Sequence, residues 1–418
     1  MATIVYNLFL VLYSLGIRIV ALFNPKARLW LAGRKGILKR IKSTIPPNTR
    51  KLVWMHAASL GEFEQGRPLI EKIKWHDPEV KILLTFYSPS GYEVKKDYSG
   101  ADYIFYLPMD GASHAKEFIN WVKPELVLWV KYEFWYHYLN ELHKQKVPLL
   151  LVSGTFREDQ PFFQSYGKFW KKMLACFSHI FVQNEESKLL LESINVNSNV
   201  SVSGDTRFDR VISIAGSFDP VPLVEKFCEG HRVIVAGSTW EDDEVELIHF
   251  AKANPGIRFV IAPHEIDKES IRDVRKEFPK AILYSELVAG KPMADANCLI
   301  IDNVGMLSRL YYYAYIAYVG GGFGEDGIHN ILEAAVFGKP VVFGPIYDKY
   351  TEADELIAEG GAISISNALE LEEVFNRLFN HETEYKWRSD VAEKFVEIKA
   401  GATQKIFDYI QANRLLTN

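Results

Sequence analysis

The stretch AYIAYVGGGFGEDGIHNILEAAVFGKPVVFGP, Ala314 to Pro345, decides the fold. A short apolar run, Ala317 to Val319, suits a buried strand. Gly320, Gly321 and Gly322 follow, then a polar turn and a helix predicted to open near His329 and Asn330. A second apolar strand, Pro340 to Phe343, ends at Gly344-Pro345. The pattern is a βαβ unit with a glycine-rich first turn, so backbone amides around Gly321 and a helix N-terminus can face an anion without intervening side chains. Glu333, one turn into that helix, is placed to accept hydrogen bonds from ribose hydroxyls. The plainer alternative is a tight turn packed for its own sake.

The same rhythm runs outward from this unit. Ahead of it, Arg232–Ala236, Arg258–Ala262, Ala281–Tyr284 and Cys298–Ile301 read as strands, each followed by a polar turn. An earlier set comprises Lys51–His56, Lys81–Phe86, Tyr103–Tyr106, Leu126–Val130, Val147–Val152, His179–Gln183 and Val200–Val202. Strand, turn and helix alternate throughout, the signature of parallel sheets covered on both faces. Ser213 to Pro222 reads as a connector between two similar halves, and the chain beyond about Leu369 reads as helical. The sequence thus divides into a hydrophobic helix and basic arm (1–45), a first Rossmann-like domain (46–215) and a second (216–418), with terminal helices that could cross back. The expected architecture is α/β, two Rossmann-like parallel-sheet domains facing across a ligand cleft at the strands' C-terminal ends.

At 418 residues, 48% hydrophobic and 24% charged, the composition is that of a multi-domain globular chain. Cys176, Cys228 and Cys298 lie far apart, which argues against a zinc site or a disulfide framework. The net charge of −5 hides an asymmetry. Residues 1–61 hold ten Lys or Arg and no acid, leaving 53 acids against 38 bases on the remainder. A basic arm on an acidic body points to a local anionic partner rather than to nucleic acid. Residues Ile4 to Phe23 are largely apolar, interrupted by Asn7, Ser14 and Arg18. This segment reads as membrane-anchoring, either spanning or lying in the interface, with a helix packed on the protein's own surface as the alternative. Seven Lys or Arg between Lys26 and Lys42 follow it, which by the positive-inside rule puts the body in the cytoplasm. Their position after the apolar run, with no small-residue cleavage site, argues against a secretory signal.

Glu62 is the sharpest single candidate in the first half. It follows a strand and Gly61 at the start of a helix, where a carboxylate could take a proton from a sugar hydroxyl. A helix-capping acid is the competing explanation. Lys131-Tyr132-Glu133, Gly204-Asp205-Thr206-Arg207 and Gly237-Ser238-Thr239 repeat the strand-then-polar-turn theme. Arg207 suits a phosphate or carboxylate, and Ser238 and Thr239 suit phosphate oxygens.

Taken together, Ala58-Ser59-Leu60-Gly61-Glu62-Phe63, Tyr132-Glu133-Phe134-Trp135, Gly204 to Asp209, Asp302 to Leu307 and Gly320 to Glu333 resemble the motifs of 3-deoxy-D-manno-octulosonic acid (Kdo) transferases. The similarity runs in order along nearly the whole chain. It implies a glycosyltransferase-B fold and inverting, metal-independent transfer of Kdo from CMP-Kdo to the lipid A precursor, at the cytoplasmic face of the inner membrane. It further implies Glu62 as general base, and Glu133 and Arg207 as groups assisting the transition state. The nucleotide site would draw on Pro263, His264, Val304, Gly305, Met306, Asn330, Ile331, Leu332 and Glu333. Three motifs depart from the family pattern. Pro263-His264-Glu265-Ile266 stands where the family often has Pro-Arg-His-Pro, so the expected guanidinium is absent. Gly327-Ile328-His329-Asn330 replaces Gly-Gly-His-Asn, and Lys131-Tyr132-Glu133-Phe134-Trp135 replaces Glu-Thr-Glu-Leu-Trp. The rival readings are a lipid A disaccharide synthase-like or UDP-N-acetylglucosamine 2-epimerase-like enzyme, and a non-catalytic lipid-binding tether.

Overall fold

The computed structural model describes residues 2–416 save 132, 279 and 294, so Tyr132 of the Lys131–Trp135 motif lies outside the described residues. The chain forms two compact units, residues 1–210 with 400–418, and residues 211–399.

The first unit holds a seven-stranded parallel sheet of β1 (Leu52–Ala57), β2 (Lys81–Phe86), β3 (Tyr103–Tyr106), β4 (Leu126–Val130), β5 (Leu149–Gly154), β6 (His179–Val182) and β7 (Val200–Val202), in the order β3-β2-β1-β4-β5-β6-β7. The second holds β8 (Val233–Thr239), β9 (Arg258–Pro263), β10 (Ala281–Leu283), β11 (Cys298–Ile300), β12 (Ile316–Val319), β13 (Val341–Phe343) and β14 (Ala362–Ser364), in the order β10-β11-β9-β8-β12-β13-β14. Both are Rossmann-like, and both reverse their strand order once, at β1/β4 and at β8/β12. Such a switch point opens a crevice at the C-terminal edge of a parallel sheet, because the loops on its two sides depart in opposite directions.

Central strands such as β1, β4 and β5 are buried at every residue, since helices cover both faces. Alternation along β1 sends Trp54 into one core with Leu83, Val127 and Trp129, and Val53 and Met55 into the other with Leu84 and Leu128. The last helix, Ala402–Ala412, contributes Ile406, Phe407 and Ile410 to that second core. Asp209 begins it, accepting from the amides of Gly401 and Thr403 at 2.6 Å each.

The apolar N-terminus is a helix from Ala2 to Val20, long and apolar enough to cross a membrane. Only a narrow stripe of it packs inward. Tyr6, Leu10, Tyr13 and Ile17 recur at helical spacing. Leu10 is buried, Tyr6 packs on the first core, and Tyr13 and Ile17 join a cluster with Trp30 and Tyr87. Tyr6 donates to Asp110 at 2.7 Å, and Asn7 meets His137 at 2.7 Å. Ile4, Val5, Leu8, Phe9, Val11, Leu12, Leu15 and Ile19 all stand at least half exposed.

The basic arm is not uniformly a solvent-facing patch. Arg34 turns inward, over the rings of Trp30 and Tyr87 at 3.9 and 4.7 Å, and donates to the carbonyls of Tyr87 (2.7 Å), Leu107 (2.9 Å) and Trp30 (3.3 Å). Burial lowers its pKa to about 10. Lys42 pairs with Glu117 at 2.8 Å. Lys26, Arg28, Lys35 and Lys39 are exposed.

Candidate functional site

The switch point of the first sheet brings Glu62 and Glu133 together. Helix Leu60–His76 has Ser59 at its N-cap, so Glu62 is the third residue of its first turn. From there the side chain folds back to accept from the Ala58 amide, which makes it a capping acid as well as a candidate base. Backbone donors near a helix N-terminus favour the ionised form, but they lose here. Burial, then the Glu133 charge, push the Glu62 carboxyl up to about 7. Lys131 pulls in the opposite direction and is outweighed.

Glu133 sits just beyond β4, across the crevice from Glu62. Its Oε2 accepts from Trp135 Nε1 at 2.9 Å and lies 3.3 Å from His56 Nε2, while its backbone carbonyl accepts from Trp129 Nε1. Trp135 packs in turn against Tyr87, with ring centroids 4.6 Å apart and the planes tilted by 31°. Aromatic side chains thus border Glu133, and its charge adds to burial in disfavouring charge on Glu62.

Arg207 follows β7, the edge strand three places from β4, and its guanidinium binds Asp205 Oδ2 through Nε (2.8 Å) and a terminal nitrogen (2.7 Å). Thr206 next to it donates to the Gln65 carbonyl at 2.6 Å. The Gly204–Asp209 motif thus ties β7, helix Leu60–His76 and the last helix together.

In the second unit the remaining candidates collect at one end of the sheet. Ser238 and Thr239 end β8, Pro263 and His264 end β9, Val304 to Met306 follow β11, and Gly321 to Glu333 follow β12. Their detail corrects several expectations. The Gly321 amide does not face an open anion site; it donates to Asp243 Oδ2 at 2.8 Å, and Tyr318 donates to the other oxygen at 2.8 Å. Thr239 turns inward to Glu244 at 2.8 Å, a carboxyl that burial pushes up to about 7. The helix expected from Asn330 is a single turn, Leu332–Ala335, too short for an N-terminal dipole of consequence. Asn330 accepts from the Leu332 amide at 3.1 Å and donates to Glu333 at 3.3 Å.

The triple glycine has a packing cause. A Cβ on Gly320 would lie 2.4 Å from the Ser238 carbonyl oxygen, and one on Gly322 2.6 Å from the Gly344 nitrogen. Gly321 adopts φ +92°. Three loops cross here backbone to backbone, which only glycine allows. Val304 is 80% exposed beside Gly305, which turns at φ +88° in open space, whereas Met306 is buried.

The feature that sequence reading missed is a stack of three rings. Trp240 lies on His264 (centroids 4.4 Å, 22°), and His264 on His329 (4.6 Å, 25°). Burial and the neighbouring His264 hold His329 down to about 4, so it is neutral at physiological pH. An aromatic directly after Gly-Ser-Thr was the available signal, but no local pattern shows that loops 24 and 89 residues apart will meet it.

Comparison with known proteins agrees with this layout. Residues 32–210 match the family model described as 3-deoxy-D-manno-octulosonic-acid transferase (kdotransferase). The chain is 28% identical to the 3-deoxy-D-manno-octulosonic acid transferase of Rickettsia bellii, over 87% of this chain and 88% of that protein. It is 27% identical to the one from Aquifex aeolicus, over 87% and 95%. A bifunctional glycosyltransferase/methyltransferase of Fusobacterium nucleatum is 25% identical over 87% of this chain, which spans 55% of that longer protein. Among solved structures, UDP-GlcNAc 2-epimerase from Neisseria meningitidis superposes with a TM-score of 0.63 at 18% identity, covering 86% of this chain and all of that one. At that identity the likeness is one of fold, the glycosyltransferase-B-like pair of parallel-sheet units. Residues 32–210 thus match the Kdo transferase family model, and the likeness to proteins of that family extends over most of the chain.

Proposed function

We propose that the protein transfers Kdo from CMP-Kdo to the distal glucosamine of the lipid A precursor (lipid IVA) in lipopolysaccharide biosynthesis, with inversion, without a metal, at the cytoplasmic face of the inner membrane. The observation that carries this reading is the carboxyl pair at the β1/β4 switch point, with Glu62 raised to about 7. A base for a sugar hydroxyl works best when its pKa lies close to the working pH, and Glu62 meets that condition. Glu62 takes the proton of the attacking hydroxyl; Glu133 keeps the site's negative charge close to the developing oxocarbenium carbon. The second unit supplies the donor site, where the Trp240–His264–His329 stack gives a flat face for a base and Ser238 a hydroxyl at the end of β8. Arg207, held by Asp205, is assigned a part in assisting the transition state.

The exposed apolar face of helix Ala2–Val20, with Lys26, Arg28, Lys35 and Lys39 near its end, suits an anionic membrane surface where the acylated acceptor resides. The test is the mass of tetraacyl lipid A precursor after incubation with enzyme and CMP-Kdo. A gain of one or more Kdo units supports the reading. Turnover of UDP-N-acetylglucosamine in place of CMP-Kdo replaces it with an epimerase-like or disaccharide synthase-like activity.

A further inference from the structure

We propose that His56 is a positioning residue for Glu133, fixed in its Nε2–H tautomer by Thr85 and Trp54. The parallel register sets His56 beside Thr85 on β2 and Trp129 on β4. The two-residue period of β1 places Trp54 on the same face. His56 is fully buried, its ring centroid 4.5 Å from that of Trp129.

The hydrogen bonds form a line with a direction. Trp54 Nε1 can only donate, and it does so to Thr85 Oγ1 at 2.8 Å. The Thr85 hydroxyl still has its own proton to give, and we assign it to His56 Nδ1, 2.9 Å away. An accepting Nδ1 puts the imidazole hydrogen on Nε2, aimed at Glu133 Oε2 at 3.3 Å. The other neutral tautomer would spend Nδ1–H on the Thr85 carbonyl at 3.2 Å and turn a bare Nε2 lone pair towards a carboxylate. Trp135 Nε1 meets the same Oε2, so two donors from different elements fix one oxygen of Glu133. The other ionisable groups around the pair are Glu62, Lys131, Arg34, Tyr6 and Tyr87. His56 touches none of the reacting atoms; it sets where Glu133 stands relative to Glu62.

The role in catalysis rests on the function proposed above, whereas the tautomer does not, and the test separates the two. In the full-length protein labelled with ¹⁵N-histidine, the resonance lost in His56→Gln identifies His56. An Nε2–H tautomer is expected, and an Nδ1–H tautomer overturns the proposal. In the transfer assay, His56→Phe lowers kcat about 10-fold or more with KM for CMP-Kdo unchanged, and His56→Gln, which keeps a donor near Nε2, recovers most of the rate. In the Glu133→Gln background His56→Phe has no further effect, because its partner is already gone. Multiplying losses in that double variant would overturn the proposal. Thr85→Val, close in volume to threonine, gives a partial loss that Thr85→Ser restores; a Thr85→Val enzyme at full rate would also overturn it. A wild-type enzyme that transfers no Kdo defeats the assigned function and leaves the NMR measurement to decide the tautomer.

Discussion

The two switch points share one topology and differ in nearly everything they carry. At β1/β4 the loops present carboxylates among aromatic rings, and burial drives Glu62 up to about 7. At β8/β12 the loops present glycines and a stack of three rings, and the buried acids Asp243 and Glu244 point inward, to Gly321 and Thr239. One sheet edge therefore holds a titrating group in the crevice. The other uses its acids to fix its own loops and leaves ring faces outward. The lesson is that a Rossmann-like edge dictates where a ligand can sit, while the side chains of four or five loop residues decide whether that edge handles protons or holds a nucleotide.

The comparison breaks most readily at Glu62. Glu62→Gln should lower kcat by about 10³-fold, the range for loss of a general base, with CMP binding by calorimetry unchanged. A variant keeping most of its rate would remove the functional contrast between the edges.

A second break lies in the glycine crossing. Gly320→Ala forces a methyl onto the Ser238 carbonyl and should destabilise the protein by about 1–3 kcal/mol, read from denaturant unfolding of the second unit's transition. An unchanged midpoint would mean that the loops do not cross backbone to backbone at Gly320.

The pH dependence sharpens the contrast. Glu62 is protonated below about 7, so the transfer rate should fall on an acid limb near that pH, whereas CMP binding should not follow His329, which is neutral at every pH above about 4. Stability carries the same signature with a defined sign. A folded-state pKa raised above its ordinary 4.5 means the native state holds the proton more tightly than the unfolded chain. The ionised carboxylate therefore weakens the fold as pH rises from 4.5 through 7. Glu62→Gln should be more stable than wild type at pH 8, by an amount on the order of 2 kcal/mol less the lost cap, and the gain should vanish near pH 4. A constant difference across that range would assign Glu62 to capping alone.

The smallest effect belongs to the ring stack. Trp240→Ala should weaken CMP binding about 3- to 10-fold, the worth of one aromatic contact, and leave the acid limb in place. A shift of that limb would tie the two edges together electrostatically.

Much of this architecture was written locally. The alternation of apolar runs with glycine-rich turns from Lys51 to Phe343 places strands by period and turn chemistry, and among the described residues thirteen of the fourteen strands follow from it; β14, Ala362–Ser364, has too short an apolar run to stand out. Glu62 was legible because a strand, a glycine and an acid at a helix start are contiguous. Its elevated pKa was not, because burial and the charge of Glu133 come from a strand seventy residues away.

The same division holds elsewhere. Composition alone announces the apolar helix and the basic arm, but only packing turns Arg34 inward and leaves Lys35 and Lys39 outside. Arg207 and the Gly321 amide read as free anion ligands in sequence, since a donor's spare hydrogen is invisible there; in three dimensions Asp205 and Asp243 already take them. His56 looks like one more residue of a buried strand until the register sets it between Thr85 and Glu133. The amino-acid order, in short, settles which residues stand at the crests of the two sheets, because period and turn chemistry are local. Which of those residues keep a proton, a charge or a hydrogen bond to offer depends on neighbours from distant strands, and those exist only once the sheets have formed.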